Sequence, residues 1–189
     1  MARFGGARTR ILGGLTAAAL LCGASSPGVP ELRLRDPGER LPALTLYDLG
    51  GKSRRLAEAP GGGPILILFW SVYCPNCKDA MPELVKLHER WRDRGIALWA
   101  INVDGDRFSN AVKAYVDDME LTFPVLLDRL EGDYLVAADP LGVSKTPTLY
   151  LAEPDGTILL RQVVEVDFDA LTSALSRWET DRPKKETRN

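Results

Sequence analysis

The sequence predicts an α/β domain: a mixed central sheet with helices on both faces and an added N-terminal β-hairpin. Three observations predict it. Ile65–Trp70 (ILILFW) and Ile96–Val103 (IALWAINV) have the length and the β-branched and aromatic content of buried strands. Between them Met81, Leu84, Val85, Leu87 and Trp91 recur at helical spacing. Downstream, Thr148–Ala152 and Ile158–Val164 flank Glu153-Pro154-Asp155-Gly156, a turn that joins antiparallel neighbours. Strands alternating with helices, then a hairpin and a last helix, give such a sheet.

At the N-terminus, residues 1–24 read as a targeting segment or an N-terminal membrane anchor. Arg3, Arg8 and Arg10 form a positive region, Ile11–Leu21 an apolar run, and small residues follow at Cys22–Ser26, with cleavage expected after Ala24 or Ser26. The run is shorter than the roughly 20 residues of a membrane span. Cys22 adds a third option, acylation, although Leu21 stands where such signals want a small residue. Without residues 1–24 the charge is 21 basic against 26 acidic, or −5, and no basic patch is interleaved with aromatics, so a nucleic-acid partner is not expected.

Residues 25–40, rich in Pro, Gly and charge, read as a flexible tether. The domain is expected over 41–180. Leu41–Asp48 reads as an edge strand and Gly50-Gly51-Lys52 as its hairpin turn. The Gly61–Pro64 loop leads into the central strand. The first helix covers roughly Pro75 to Arg94 and stops at Gly95. A second helix is expected near Phe108–Met119, with Phe108, Val112, Tyr115, Val116 and Met119 on one face. Phe123–Leu127 is a short apolar segment, Asp128–Asp133 a loop, and Tyr134–Leu141 one or two helical turns. Asp167–Trp178 is the last amphipathic helix, with Phe168, Leu171, Leu175 and Trp178 inward. A charged tail follows at 181–189.

Chemistry concentrates after the first buried strand. Ser71-Val72-Tyr73 lifts the chain off the sheet, and Cys74-Pro75-Asn76-Cys77 follows at the strand's carboxyl end. Pro75 suits the first helical turn, where its missing N–H costs nothing. Cys74 is then at the helix N-terminus, where free N–H groups and the helix dipole favour a thiolate. Cys77, one turn on, is within disulfide reach. If Cys22 is lost with the leader, these are the two remaining cysteines, so the pair reads as chemistry rather than a structural scaffold. A zinc site would need two further ligands, and the single histidine, His88, reads as a solvated helix residue.

FWSVYCPNCK on a strand and helix, with Thr146-Pro147-Thr148 far downstream, resembles the thioredoxin superfamily, and within it the extracytoplasmic TlpA/ResA-like group. The resemblance covers about Leu41 to Trp178. It implies a thioredoxin-like fold whose N-terminal strand pair belongs to that group. It also implies a thiol–disulfide oxidoreductase in which Cys74 attacks a partner disulfide and Cys77 releases the reduced product. Pro147 would be cis, facing the disulfide, with the backbone around Thr146 free to pair with an extended substrate. Pro75 and Asn76 would tune the potential through the N–H donors offered to the thiolate, while Trp70 and Tyr73 would form an apolar docking patch, pack the active-site corner, or do both. The implied partners are protein disulfide substrates and a membrane thiol electron donor. A monomer, no small-molecule cofactor, no metal and a periplasmic or membrane-anchored location complete the expectation. Its direction as a reductant rests on the resemblance, with oxidase or isomerase as runner-up.

Some residues depart from related patterns. Thiol reductases of cytochrome c maturation often carry a glutamate three residues after the second cysteine; here that residue is Ala80, and Asp79 and Glu83 read as surface charges. Ser71 lies where peroxiredoxins place a threonine, but Ile67 replaces the proline those enzymes need. Copper chaperones on the same fold use a three-residue gap between cysteines and a distal histidine, which this chain lacks. Asp104, Asp106 and Asp128 read as turn or capping residues rather than a cation site.

Overall fold

In a computed structural model, residues 33–181 of the chain are described. The targeting segment, the first part of the tether and the tail past 181 lie outside them. The elements are β1 (Thr45–Asp48), β2 (Ser53–Arg55), β3 (Ile65–Trp70), α1 (Pro75–Trp91), β4 (Ala97–Asn102), α2 (Ser109–Asp118), β5 (Val125–Leu127), β6 (Leu130–Glu131), β7 (Tyr134–Leu135), β8 (Thr148–Ala152), β9 (Ile158–Val163) and α3 (Phe168–Asp181). One sheet has the order β2-β1-β5-β4-β3-β8-β9, and β6 and β7 form a separate small ribbon. β3 runs parallel to β4, and β4 to β5, while β8, β9, β1 and β2 add antiparallel pairings. The mixed α/β sheet is the one expected. The first hairpin differs: β1 is internal, paired with β5, and β2 is the edge.

The period of 2 in a strand divides β3 between two cores. Leu66, Leu68 and Trp70 face one, with Met81, Leu84 and Trp91 of α1, Val112 of α2, and Leu171 and Leu175 of α3. Ile65, Ile67 and Phe69 face the other. All three α-helices therefore share one face, which corrects the expectation of helices on both. The cause is handedness. The steps β3→α1→β4 and β4→α2→β5 move the same way across the sheet, and two right-handed crossovers in one direction fall on one side. The second face is covered by irregular chain: Leu34, Leu41 and Leu44, then Leu56 and Ala57, then Leu135–Val143.

Residues 33–40 correct the tether expectation where they are described. Gly38 N–H donates to the Ile158 carbonyl and Ile158 N–H to that of Glu39, both at 2.8 Å. Arg161 reaches Asp36 at 2.7 Å. Polar, Pro/Gly-rich composition does not prevent a segment from lying against an exposed sheet edge that offers it backbone partners. The Arg33 guanidinium holds Glu39 well below the usual carboxylate range, at about 2. At Gly142, with φ of 65°, an added Cβ would meet the Arg33 carbonyl carbon at 2.0 Å, so the segment's close approach requires glycine.

Three other expectations shift. Phe108 ends a 3-10 turn ahead of α2, which rotates it off the helix's apolar face and leaves it exposed. The expected loop at Asp128–Asp133 contains β6 and leads into β7, and the helical turns expected at Tyr134–Leu141 reduce to a 3-10 turn at Asp139–Leu141. Trp178 of α3 is only half-buried.

Candidate active site

The carboxyl ends of β3 and β4, the start of β8 and the end of β9 meet at one edge of the sheet. The pairings Trp70 with Asn102, Phe69 with Thr148, and Thr148 with Val163 fix this register. In α/β sheets this is the end where loops assemble sites. The chain leaves β3 through Ser71-Val72-Tyr73 and enters α1 with Cys74 as its N-cap, in extended backbone, and Pro75 in the first turn. Cys77 N–H donates to Cys74 Sγ at 3.2 Å. Cys74 and Cys77 form a disulfide, with Cα atoms 5.3 Å apart. Cys77 is buried and Cys74 partly exposed, so Cys74 is the more accessible of the pair. The first turn of α1 carries no acid to oppose a thiolate there.

Thr146-Pro147 is cis and precedes β8. Thr148 is buried, and its hydroxyl donates to the Lys145 carbonyl at 2.7 Å, closing the turn that presents Pro147. The two aromatics separate. Trp70 is wholly buried, with its ring 5.2 Å from Tyr115, so it packs the corner. Tyr73 is 66% exposed and meets Phe108 edge-on at 5.6 Å, leaving the pair on the surface beside Cys74. Asn76 Nδ2 donates to the Val164 carbonyl at 3.0 Å.

Two groups of residues emerge that the sequence analysis did not assign to the site. The first is built on Asp104. Its Oδ1 accepts from Ser71 Oγ at 2.6 Å, and its Oδ2 accepts from Val72 N–H and from Asn102 Nδ2, both at 2.8 Å. Ser71 Oγ in turn accepts from Tyr73 N–H at 3.0 Å. One carboxylate thus fixes the loop that delivers Cys74. An aspartate just past a strand, followed by glycine, gives no signal beyond a turn. The second is Val164, whose N–H donates to the Pro147 carbonyl at 2.7 Å.

The other candidates have different roles. Asp79 and Glu83 are exposed, with Glu83 paired to Lys86 at 2.6 Å. His88 is not solvated as expected. It lies half-buried, edge-on to Phe123 at 5.6 Å and 3.2 Å from Thr122 Oγ1, and burial pushes its pKa down. Asp128 is buried and accepts from Ala137 and Ala138 N–H at 2.9 and 2.8 Å. Burial raises its pKa to about 6, against the opposing pull of those two donors.

A family model described as the AhpC/TSA family matches residues 37–161. The chain is 32% identical over 122 residues to the thiol-disulfide oxidoreductase ResA of Halalkalibacterium halodurans, covering 65% of this chain and 65% of that relative. The match thus spans just under two thirds of that relative's length. The chain is 31% identical over 124 residues to the thioredoxin-like protein YneN of Bacillus subtilis, covering 64% of this chain and 68% of that one. Among solved structures, a secreted Mycobacterium tuberculosis disulfide oxidoreductase homologous to E. coli DsbE aligns with a TM-score of 0.59 at 22% identity. That alignment covers 71% of this chain and 96% of the other.

Proposed function

The chain belongs to the AhpC/TSA family of thioredoxin-like proteins and has the fold and paired cysteines of a thiol–disulfide oxidoreductase; we propose that it reduces disulfides in exported proteins. The observation that carries this reading is the asymmetry of the pair, with accessible Cys74 capping a helix and buried Cys77 behind it. In the reduced enzyme the Cys74 thiolate attacks one sulfur of a partner disulfide. The S–S bond breaks, a Cys74–substrate mixed disulfide forms, and the departing substrate thiolate takes up a proton. The Cys77 thiolate then attacks Cys74 Sγ and releases the second substrate thiol. Two electrons and two protons have passed to the substrate, and the enzyme holds the Cys74–Cys77 disulfide. A membrane dithiol donor restores it by the reverse exchange and becomes a disulfide itself.

The backbone around Thr146–Pro147 is the docking edge for an extended substrate segment. The protein acts outside the cytoplasm as a monomer, either freed from its leader or held by it. The N-terminal pattern of positive, apolar and small residues supports that location. The secreted neighbour supports it too. These residues do not favour peroxide reduction, because Ile67 stands mid-strand and the Ser71 hydroxyl is engaged by Asp104.

Insulin reduction driven by a small dithiol tests the reading. Wild type accelerates it, Cys74→Ser falls to the uncatalysed rate, and Cys77→Ser accumulates a mixed disulfide. Equal rates for wild type and Cys74→Ser overturn it.

A further inference from the structure

Val164 is an outlier. It is a β-branched residue at φ 74°, in the left-handed region that such side chains rarely occupy and that is strained when held. Core packing does not account for it, because the side chain is 38% exposed. The surrounding loop imposes it. Gln162 and Asp167 exchange two hydrogen bonds of 3.0 Å across the turn, and Asp167 Oδ1 caps α3 through Ala170 N–H at 2.9 Å. Within that frame Val164 makes two backbone bonds of opposite direction. Its N–H donates to the Pro147 carbonyl, and its carbonyl accepts from Asn76 between the two cysteines. One residue therefore ties the docking loop to the first turn of the dithiol helix, and presents an apolar side chain where they meet.

We propose that Asn76 and Val164 form a substrate-positioning clamp. Asn76 fixes the spacing between Cys74 and the Pro147 edge through the Val164 backbone, and the Val164 side chain is the apolar contact for a substrate residue flanking the target cysteine. This rests on the proposed reductase reading and deepens it by assigning specificity for a polypeptide disulfide with an apolar neighbour. Neither residue touches the reacting sulfurs in this role; both are positioning residues. Asn76 is thereby assigned to spacing through its side chain, whose donor is engaged 88 residues away in sequence. The strain at Val164 persists because glycine there, though easier for the backbone, would present no side chain to a substrate.

The test compares full-length wild type, Asn76→Ala and Val164→Gly on two substrates: insulin, and a small aromatic disulfide that needs no docking edge. The ratio of kcat/KM for insulin to that for the small disulfide falls about fivefold or more in both variants, carried by KM, as loss of one hydrogen bond or one apolar contact implies. Val164→Gly melts at or up to about 3 °C above wild type, because glycine relieves the left-handed backbone. The equilibrium of Asn76→Ala with a thiol buffer stays within twofold of wild type. A ratio within twofold of wild type in both variants overturns the clamp. So does a parallel loss on both substrates, or a melting temperature of Val164→Gly several degrees lower, which would make Val164 a structural residue. Failure of wild type itself to reduce insulin overturns the reductase reading together with the clamp, and so is distinguishable from failure of the clamp alone.

Discussion

The two faces of the sheet are built by different physics. The helical face is closed by regular, apolar packing. Met81, Leu84, Leu171 and Leu175 are wholly buried against Leu66, Leu68 and Leu149. The second face is closed by irregular chain that needs polar anchors to stay in place. Asp128 holds the Ala137 and Ala138 amides, Asp139 accepts from Leu135 N–H at 2.7 Å, and the buried Tyr150 hydroxyl donates to the Leu141 carbonyl at 3.0 Å. Burial pushes that Tyr150 hydroxyl up to about 12. The difference places Asp128, a buried carboxylate with a raised pKa, among the anchors of the second face. The dithiol is mounted on α1 of the helical face and the Thr146–Pro147 loop precedes β8, so the site lies where the two kinds of packing meet.

The sharpest way to break this contrast is a truncation on each side. Leu84→Ala on the helical face is expected to cost about 2–5 kcal/mol by urea denaturation, as a buried leucine does when a cavity replaces it. Its effect should be global, lowering amide protection throughout. Asp128→Ala should cost about 2–3 kcal/mol, because two buried N–H groups lose their acceptor. Its signature should be local, with the Ala137 and Ala138 amides exchanging faster than those of β3. Equal, global effects from both substitutions would erase the distinction.

Protonation sharpens the same point. Asp128 has a folded pKa of about 6, raised above the ordinary aspartate value of 3.8, so between those limits the folded protein binds more protons than the unfolded chain. Stability therefore falls as pH rises from about 4 through 6, by on the order of 2 kcal/mol for this group. Glu39 has the opposite sign: its contribution is present above pH 4.5 and is lost as pH falls through about 2. Subtracting the unfolding free energy of Asp128→Asn from that of wild type across pH 4–7 isolates the first slope. A flat difference would contradict it.

Where the two faces meet, Asp104→Ala should lower kcat/KM for a protein disulfide about tenfold, since the loop that delivers Cys74 loses two hydrogen bonds and Asn102 beside it a third. The smallest effect belongs to the exposed side of α1. Lys86→Ala removes a surface ion pair with Glu83 and should change stability by less than about 0.5 kcal/mol.

The same contrast explains what the sequence made legible. α1, α2 and α3 were readable because apolar residues recur at helical spacing, and β3 and β4 because each is a short run of apolar, β-branched and aromatic residues. Cys74, Cys77 and Thr146–Pro147 were readable because two cysteines two residues apart and a distant Thr-Pro form a specific combination. The second face was not readable. Nothing in residues 33–44 or 135–143 repeats, and their positions depend on long-range partners such as Ile158 and Asp128. Helices were expected on both faces because alternation of strands and helices does not reveal the direction of each crossover; strand order does. Asp104 resembled any turn aspartate until Ser71 and Val72 were brought to it, and no local pattern marks a valine for positive φ.

The proposed direction requires the Cys74–Cys77 couple to act as a reductant, and its reduction potential, measured by equilibration against defined thiol buffers, tests that. A value near that of thioredoxin, about −270 mV, is the expected result. A value near about −120 mV would make the disulfide a strong oxidant that is donated to partners, and would contradict the proposed direction.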